Sequence, residues 1–336
     1  MRVLMTSARS YDRASFASQL GERQSSPHTF TYSSARLEAS TAGIVAGHEA
    51  VCAFVNDDLS ALTLERIAAQ GVRFLALRCA GSNQVDIEAA SRWGVSVARV
   101  PAYGADSVAE FTLALLFGLA RRVHRSHSRI RENNFDLSGL VGIQLRGRSV
   151  GVVGTGLIGA ATARLLLGLG MKVLASDPVG QVPDLVAAGV TYLELPELLQ
   201  QSEVVSLHCP LLPSTHHLIN EESLALMKAG ALLINSSRGG LIDTPAVIRA
   251  LRSRHLGGLA IDVYEGEKAL FFADHSEDII GDDLFHQLKS FPNVLITGHQ
   301  AFLTHEALAA IAATTLDNLD AMEAGLACPN LVLPRP

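Results

Sequence analysis

The sequence predicts an α/β chain of two parallel-sheet domains, one inserted into the other. Three observations carry that prediction. Short apolar runs alternate with helix-like segments along nearly all of the 336 residues. A glycine fingerprint, Gly154-Thr155-Gly156-Leu157-Ile158-Gly159, lies mid-chain, so about 150 residues must fold before it. The stretch after His299 is too short to fold alone, and is expected to return to the N-terminal block.

The elements follow in order. Met1-Arg2-Val3-Leu4-Met5 opens directly as a strand, without the apolar segment of an export signal. The N-terminal block then alternates: strand 51–55, helix 60–70, strand 74–77, helix 86–93 and strand 96–100. A long helix follows, with Ser107-Val108-Ala109-Glu110 read as its capping box and Leu113, Leu115, Leu116 and Leu119 along it. The second block runs over 149–296, with strands at 149–153, 172–176, 203–207, 231–235, 258–262 and 294–297. A helix over 302–324 closes the chain. The expected division is a discontinuous substrate (catalytic) domain, 1–101 plus 300–336, with residues 102–299 inserted as a nucleotide domain. Both are expected to be Rossmann-like or flavodoxin-like parallel sheets, with the two long helices at the boundary as hinge.

Bulk composition narrows the function classes. Apolar residues make up 48% and charged residues 18%, and the formal net charge is -6, which argues against a nucleic-acid binder. The longest apolar stretch, 111–120, is too short to span a bilayer and ends at Arg121-Arg122. Cys52, Cys79, Cys209 and Cys328 show no C-x-x-C spacing, and the histidines form no tract. No metal site or disulfide framework is expected, and a cytoplasmic location fits.

The fingerprint follows a buried strand and opens a helix over 157–169, where bare glycines let backbone approach a pyrophosphate held at the helix N-terminus. Asp177 stands 18 residues past Gly159, at the end of the next strand, where a carboxylate meets an adenosine ribose. It would repel a 2′-phosphate, and Pro178-Val179-Gly180-Gln181 brings no Arg or Lys to reverse that. NAD is therefore expected over NADP.

Three polar islands interrupt strand ends in or just after the second block. They are Asn235-Ser236-Ser237-Arg238-Gly239-Gly240, Asp262-Val263-Tyr264-Glu265-Gly266-Glu267 and Gly298-His299-Gln300-Ala301-Phe302. Each alone has a bland reading, as a glycine turn, an acidic surface loop or a structural histidine. Together they supply what reducing a 2-keto acid requires. Arg238 can clamp a carboxylate and hold the carbonyl oxygen. His299 can give a proton near neutral pH, with a carboxylate beside it to orient the ring. Spacing leaves Glu265 and Glu267 both open as that partner.

At these residues the chain resembles the D-isomer-specific 2-hydroxyacid dehydrogenases, and within them the fermentative, D-lactate-forming branch of bacteria. The matching blocks span nearly the whole chain: Val51 to Asp58, Ala76 to Gly81, Val100 to Tyr103, Gly154 to Gly159, Ser206 to Pro210, Phe271-Phe272 with the acidic loop to Asp283, and Gly298 to Thr304. The resemblance implies a catalytic set of Arg238, Glu267 and His299, choosing Glu267 over Glu265. It implies cofactor contacts from Gly154, Gly156, Leu157, Ile158, Gly159 and Asp177, and on the nicotinamide side from Cys209, Pro210, Asn235 and Asp262. Ala80, Gly81 and Tyr103 would hold the substrate carboxylate from the first domain, and Phe302 would wall the substrate methyl. The chain departs from the family at Ser82, Gly104-Ala105, Phe111 and Gly240, none of them in the catalytic set. The implied reaction is NADH-dependent reduction of pyruvate to D-lactate by a homodimer or homotetramer. The alternatives are a broader 2-keto acid reductase or a non-catalytic NAD(H)-sensing scaffold.

Overall fold

Short runs of aliphatic residues build the sheets, because a strand covered on both faces must be apolar at every position. A computed structural model describes residues 1–23 and 27–334. It forms two compact units, one of residues 1–104 with the described residues from Leu303 onward, the other Ala105–Phe302.

The first unit holds five parallel strands: β1 (Arg2–Met5), β2 (Thr29–Tyr32), β3 (Ala50–Ala53), β4 (Phe74–Leu77) and β5 (Ser96–Ala98), in the order β2-β1-β3-β4-β5. Alternate side chains divide between two cores. Leu4, Val51, Ala53, Leu75 and Leu77 pack on one face, and Val3, Met5, Ala50, Cys52 and Ala76 on the other. The second face is covered by Ala312, Leu316, Leu319 and Met322 of the helix His305–Glu323.

Two buried charges shape the carboxyl ends of these strands. Asp57 accepts four hydrogen bonds of 2.7–2.8 Å, from the hydroxyls of Thr6 and Ser7 and the backbone N–H groups of Leu37 and Phe54. Arg78, 1% exposed, pairs with Asp12 at 3.2 Å and donates to the carbonyls of Cys52, Thr6 and Ser7. The Asp57 bond to Phe54 explains why β3 stops at Ala53 and does not continue to residue 55.

The second unit holds seven parallel strands: β6 (Ser149–Val153), β7 (Lys172–Ser176), β8 (Thr191–Tyr192), β9 (Val204–Leu207), β10 (Ala231–Asn235), β11 (Leu256–Ile261) and β12 (Val294–Ile296). Their order is β12-β11-β10-β9-β6-β7-β8. Within β10, Leu233 faces one core while Leu232 and Ile234 face the other. Its long helix begins at Ala105, so Ser107 lies inside the first turn and is not the cap expected from sequence. Alanine is the strongest helix former, and Asp106 suits the positive end of the helix, so the helix starts earlier. The last helix instead starts at His305, later than expected, because Thr304 is extended and its hydroxyl accepts from the Ala307 N–H at 3.1 Å.

Replacing Asp57 by Ala should lower unfolding free energy by roughly 2–4 kcal/mol, since four buried donors lose their acceptor. Urea unfolding of the two proteins measures this, and an unchanged midpoint would contradict the assignment.

Candidate active site

The strand order of the seven-stranded sheet reverses at β6. From there β7 and β8 lead to one edge, and β9 to β12 lead to the other. Loops diverge at the carboxyl ends beside such a reversal, which is where open α/β sheets bind ligands.

The fingerprint fills the turn from β6 into the helix Leu157–Gly168. A Cβ on Gly159 would overlap the Gly154 carbonyl oxygen, so no other residue fits without moving the turn. Around Gly156, by contrast, a Cβ would meet nothing within 4 Å. That open space lies before the first helical residues, Leu157 and Ile158, whose N–H groups have no partner within the helix. A dinucleotide pyrophosphate fits this cradle. Asp177, just after β7, accepts from the Thr155 N–H at 2.7 Å and from the Val179 N–H at 2.9 Å. Tyr192 donates to the Thr155 hydroxyl at 3.1 Å, bracing the same turn.

His208 and Cys209 follow β9 and pack behind the glycines. Burial pushes the His208 imidazole down to about 4 and the Cys209 thiol up to about 11. His208 is therefore neutral near pH 7, with Nε2 2.8 Å from the Ser206 hydroxyl. Cys209 is a protonated wall, and its carbonyl accepts from the Ser237 hydroxyl at 2.7 Å.

Arg238, Glu267 and His299 come from loops after three neighbouring strands, β10, β11 and β12. Asn235, fully buried at the end of β10, shapes the first loop. Its amide donates to the Arg238 carbonyl at 2.8 Å and accepts from the Ser237 N–H at 3.0 Å. The Arg238 side chain is half-buried, and one of its N–H groups turns back to the Ser237 carbonyl at 2.7 Å. Gly239 lies so close to the Tyr264–Glu265 backbone that any Cβ would collide with it. That contact sets the arginine turn directly against the acidic loop.

Glu267 uses its two oxygens differently. One accepts from the Tyr264 N–H at 2.9 Å, which fixes the carboxylate in its own loop. The other lies 2.8 Å from His299 Nδ1. The pair is 16% exposed at His299 and 22% at Glu267, enough shielding to strengthen the contact and enough opening for a substrate. The geometry thus pairs Glu267, not Glu265, with His299. Phe272 packs on the imidazole with ring centroids 5.6 Å apart.

His299 itself has φ of 55°, in the left-handed region. Asp262, fully buried at the end of β11, holds it there. Its carbonyl accepts from the His299 N–H at 2.7 Å. Its carboxylate accepts from the Thr297 hydroxyl at 2.5 Å and from the N–H groups of Gln300 and Ala301 at 3.0 and 2.8 Å. Burial raises the Asp262 pKa, and those three donors work against the rise. In this structure the carboxylate serves the loop that carries His299.

Other predicted residues fall elsewhere. Pro210 is exposed beside Cys209, and Phe302 is half-buried after Ala301. Ala80, Gly81 and Tyr103 are half-buried residues of the other unit, where the Ala80 carbonyl accepts from Arg99 at 2.9 Å. Sequence reading missed several supports. Tyr264 donates to both carboxylate oxygens of Asp282 at 2.9–3.0 Å, while Asp282 also caps the helix Asp283–Ser290. The available signal was an acid placed directly before an apolar-periodic helix.

Residues 113–301 match the family model described as D-isomer specific 2-hydroxyacid dehydrogenase, NAD binding domain. The chain is 48% identical over 334 residues to a 2-hydroxyacid dehydrogenase homolog of Haemophilus influenzae, covering 99% of this chain and 100% of the relative. It is 50% identical over 294 residues to D-lactate dehydrogenase of Escherichia coli, covering 88% of this chain and 89% of the relative. The apo-structure of the Escherichia coli D-lactate dehydrogenase superposes with a TM-score of 0.90 and 43% identity, over 99% of this chain and 100% of that one.

His208 makes stability pH-dependent. The unfolded chain takes up this proton near pH 6.5 and the folded chain only near about 4, so the contribution is complete above 6.5 and is lost as pH falls toward 4. His208→Gln should flatten the urea-midpoint profile across that window. An identical slope in the variant would show that His208 is not responsible.

Proposed function

The chain belongs to the D-isomer-specific 2-hydroxyacid dehydrogenases, and from that premise we propose that it reduces pyruvate to D-lactate with NADH, reversibly. The observation that carries the proposal is the 2.8 Å contact between His299 Nδ1 and Glu267, set one loop away from Arg238. A bound nicotinamide dinucleotide supplies the hydride for the carbonyl carbon. The remaining work belongs to side chains of this protein.

The Arg238 guanidinium swings from the Ser237 carbonyl to grip the substrate carboxylate and carbonyl oxygen. That fixes the keto acid and stabilises the charge developing on oxygen. The Nδ1–H of His299 is held by Glu267, which leaves Nε2 as the atom that gives its proton to the alkoxide. In the reverse direction the same nitrogen takes the hydroxyl proton and Glu267 faces the imidazolium. Gly154, Gly156 and Gly159 cradle the pyrophosphate at the N–H groups of Leu157 and Ile158. Asp177 takes the ribose hydroxyls, which favours NAD over NADP. Cys209, Pro210, Asn235 and Asp262 border the nicotinamide side. Ala80, Gly81 and Tyr103 receive the substrate carboxylate, and Phe302 walls its methyl group. Residues 1–104 with the returning tail are the substrate domain in this reading, and the inserted unit is the nucleotide domain.

We also propose self-association, as a homodimer or homotetramer. Phe117, Val123, Ile130, Phe135, Leu137 and Val141 are 39–85% exposed within one stretch of the second unit, more apolar surface than scattered residues present. Among the described residues no helix is long and apolar enough to cross a membrane. The four cysteines are free and buried, which supports a reducing, cytoplasmic setting.

His299→Gln should cut pyruvate turnover by roughly 10²–10⁴-fold, as loss of a general acid does, while NADH binding persists. Steady-state rates and NADH fluorescence titration check both parts, and near-normal turnover would remove His299 from the chemistry. Arg238→Lys should raise the pyruvate KM by at least about tenfold, because a point charge cannot reproduce a two-pronged grip. An unchanged KM would overturn the clamp.

A further inference from the structure

Behind the acidic loop lies a cluster that the reduction does not use. His216 and His217 stack their imidazole rings with centroids 3.9 Å apart and planes within 25°. Both Nε2 atoms face one oxygen of Glu265, at 3.6 Å from His216 and 2.8 Å from His217. The three potential ligand atoms all lie within 4.8 Å of one another. We propose that His216, His217 and Glu265 form a binding site for a divalent cation of the zinc class.

Donor chemistry and geometry both fit. Two imidazoles and one carboxylate are a common ligand set for zinc, and a tetrahedral ion sets its ligands about 3.4 Å apart. The three atoms need shifts of only about an ångström to meet that spacing. The side chains are 53%, 34% and 38% exposed for His216, His217 and Glu265, so water can complete the coordination.

The backbone holds these residues in place without a metal. His217 sits at φ of 51°, in the left-handed region, and its N–H donates to the Gly240 carbonyl at 2.8 Å. The preceding turn is tied by the Thr215 hydroxyl, which donates to the Pro210 carbonyl at 2.6 Å and accepts from the Leu212 N–H at 2.8 Å. Glu265 is fixed from the other side by the close approach of its backbone to Gly239. A simple surface ion pair needs only one of the two histidines. It accounts neither for the second ring nor for the left-handed backbone that brings both rings to one oxygen.

The site has a position as well as a chemistry. Glu265 is two residues from Glu267, and Gly239 adjoins Arg238. A bound cation would tie the acidic loop to the 216–217 turn and stiffen the segment carrying Glu267. The cation takes no part in hydride or proton transfer, and the proposal stands apart from the reaction proposed above.

The test uses the full-length protein, stripped by chelator and titrated with zinc chloride against a chromophoric competitor. One equivalent should bind with micromolar or tighter affinity and raise the melting temperature. Binding should weaken at least tenfold in His217→Gln and in Glu265→Gln, each compared after its metal-free melting temperature is shown to match the wild type. His216→Gln provides an independent third variant. His299→Gln should bind zinc as the wild type does, since the catalytic pair lies outside the site. Absence of binding at 100-fold excess zinc, unchanged affinity in the three cluster variants, or loss of binding in His299→Gln would each overturn the proposal.

Discussion

The geometry around His299 depends on one buried carboxylate. A non-glycine residue in the left-handed region costs roughly 1–2 kcal/mol, and His299 occupies that region at φ of 55°. The conformation persists because Asp262 surrounds it with bonds, from its carbonyl to the His299 N–H and from its carboxylate to residues 297, 300 and 301. Each such bond contributes about 1 kcal/mol net, and more where the acceptor is charged, so together they offset the strain. A relaxed turn would aim the imidazole elsewhere and separate it from Glu267. The fully buried Asp262 thus fixes the position of His299, the proton donor of the proposed reaction.

That constraint sits within a larger one set by the sheet. Parallel strands present all their carboxyl ends on one side, so the loops after β10, β11 and β12 converge without special pleading from the chain. Close approach at Gly239 then brings the arginine turn to the acidic loop, and Tyr264 anchors that loop to Asp282. The reversal at β6 opens room for the dinucleotide on the same side. In the proposed reading, cofactor specificity and acid–base chemistry therefore reside in different loops, Asp177 after β7 and Glu267 and His299 after β11 and β12.

Much of this was legible in the sequence because its signals are local. The strands β4, β7 and β10 stand at the residues their apolar runs indicate, and glycine spacing marks the phosphate turn. Strand-end polar islands together with a family resemblance single out Arg238, Glu267 and His299, and the structure brings the last two to 2.8 Å. The residue pattern alone left Glu265 and Glu267 equivalent, because the choice depends on how the loop turns through Gly266. What the sequence hid is the work done between distant residues. Asp262 looked like a ligand contact, and its hold on residues 297–301 appears only when β11 and β12 lie side by side. The pairing of His216 and His217 with Glu265 is hidden for the same reason, since Glu265 lies 48 positions after His217. The start of the long helix was misplaced because Ser107 and Glu110 satisfy a local rule that Ala105 and Asp106 override.

The stereochemical outcome of pyruvate reduction tests the account most directly. The purified protein is incubated with NADH and pyruvate, and the lactate is resolved on a chiral column. Membership of the D-isomer-specific family, with the roles proposed for Arg238, Glu267 and His299, predicts stoichiometric NADH oxidation with D-lactate as product. L-lactate, or no NADH oxidation with pyruvate or any other 2-keto acid, would contradict it.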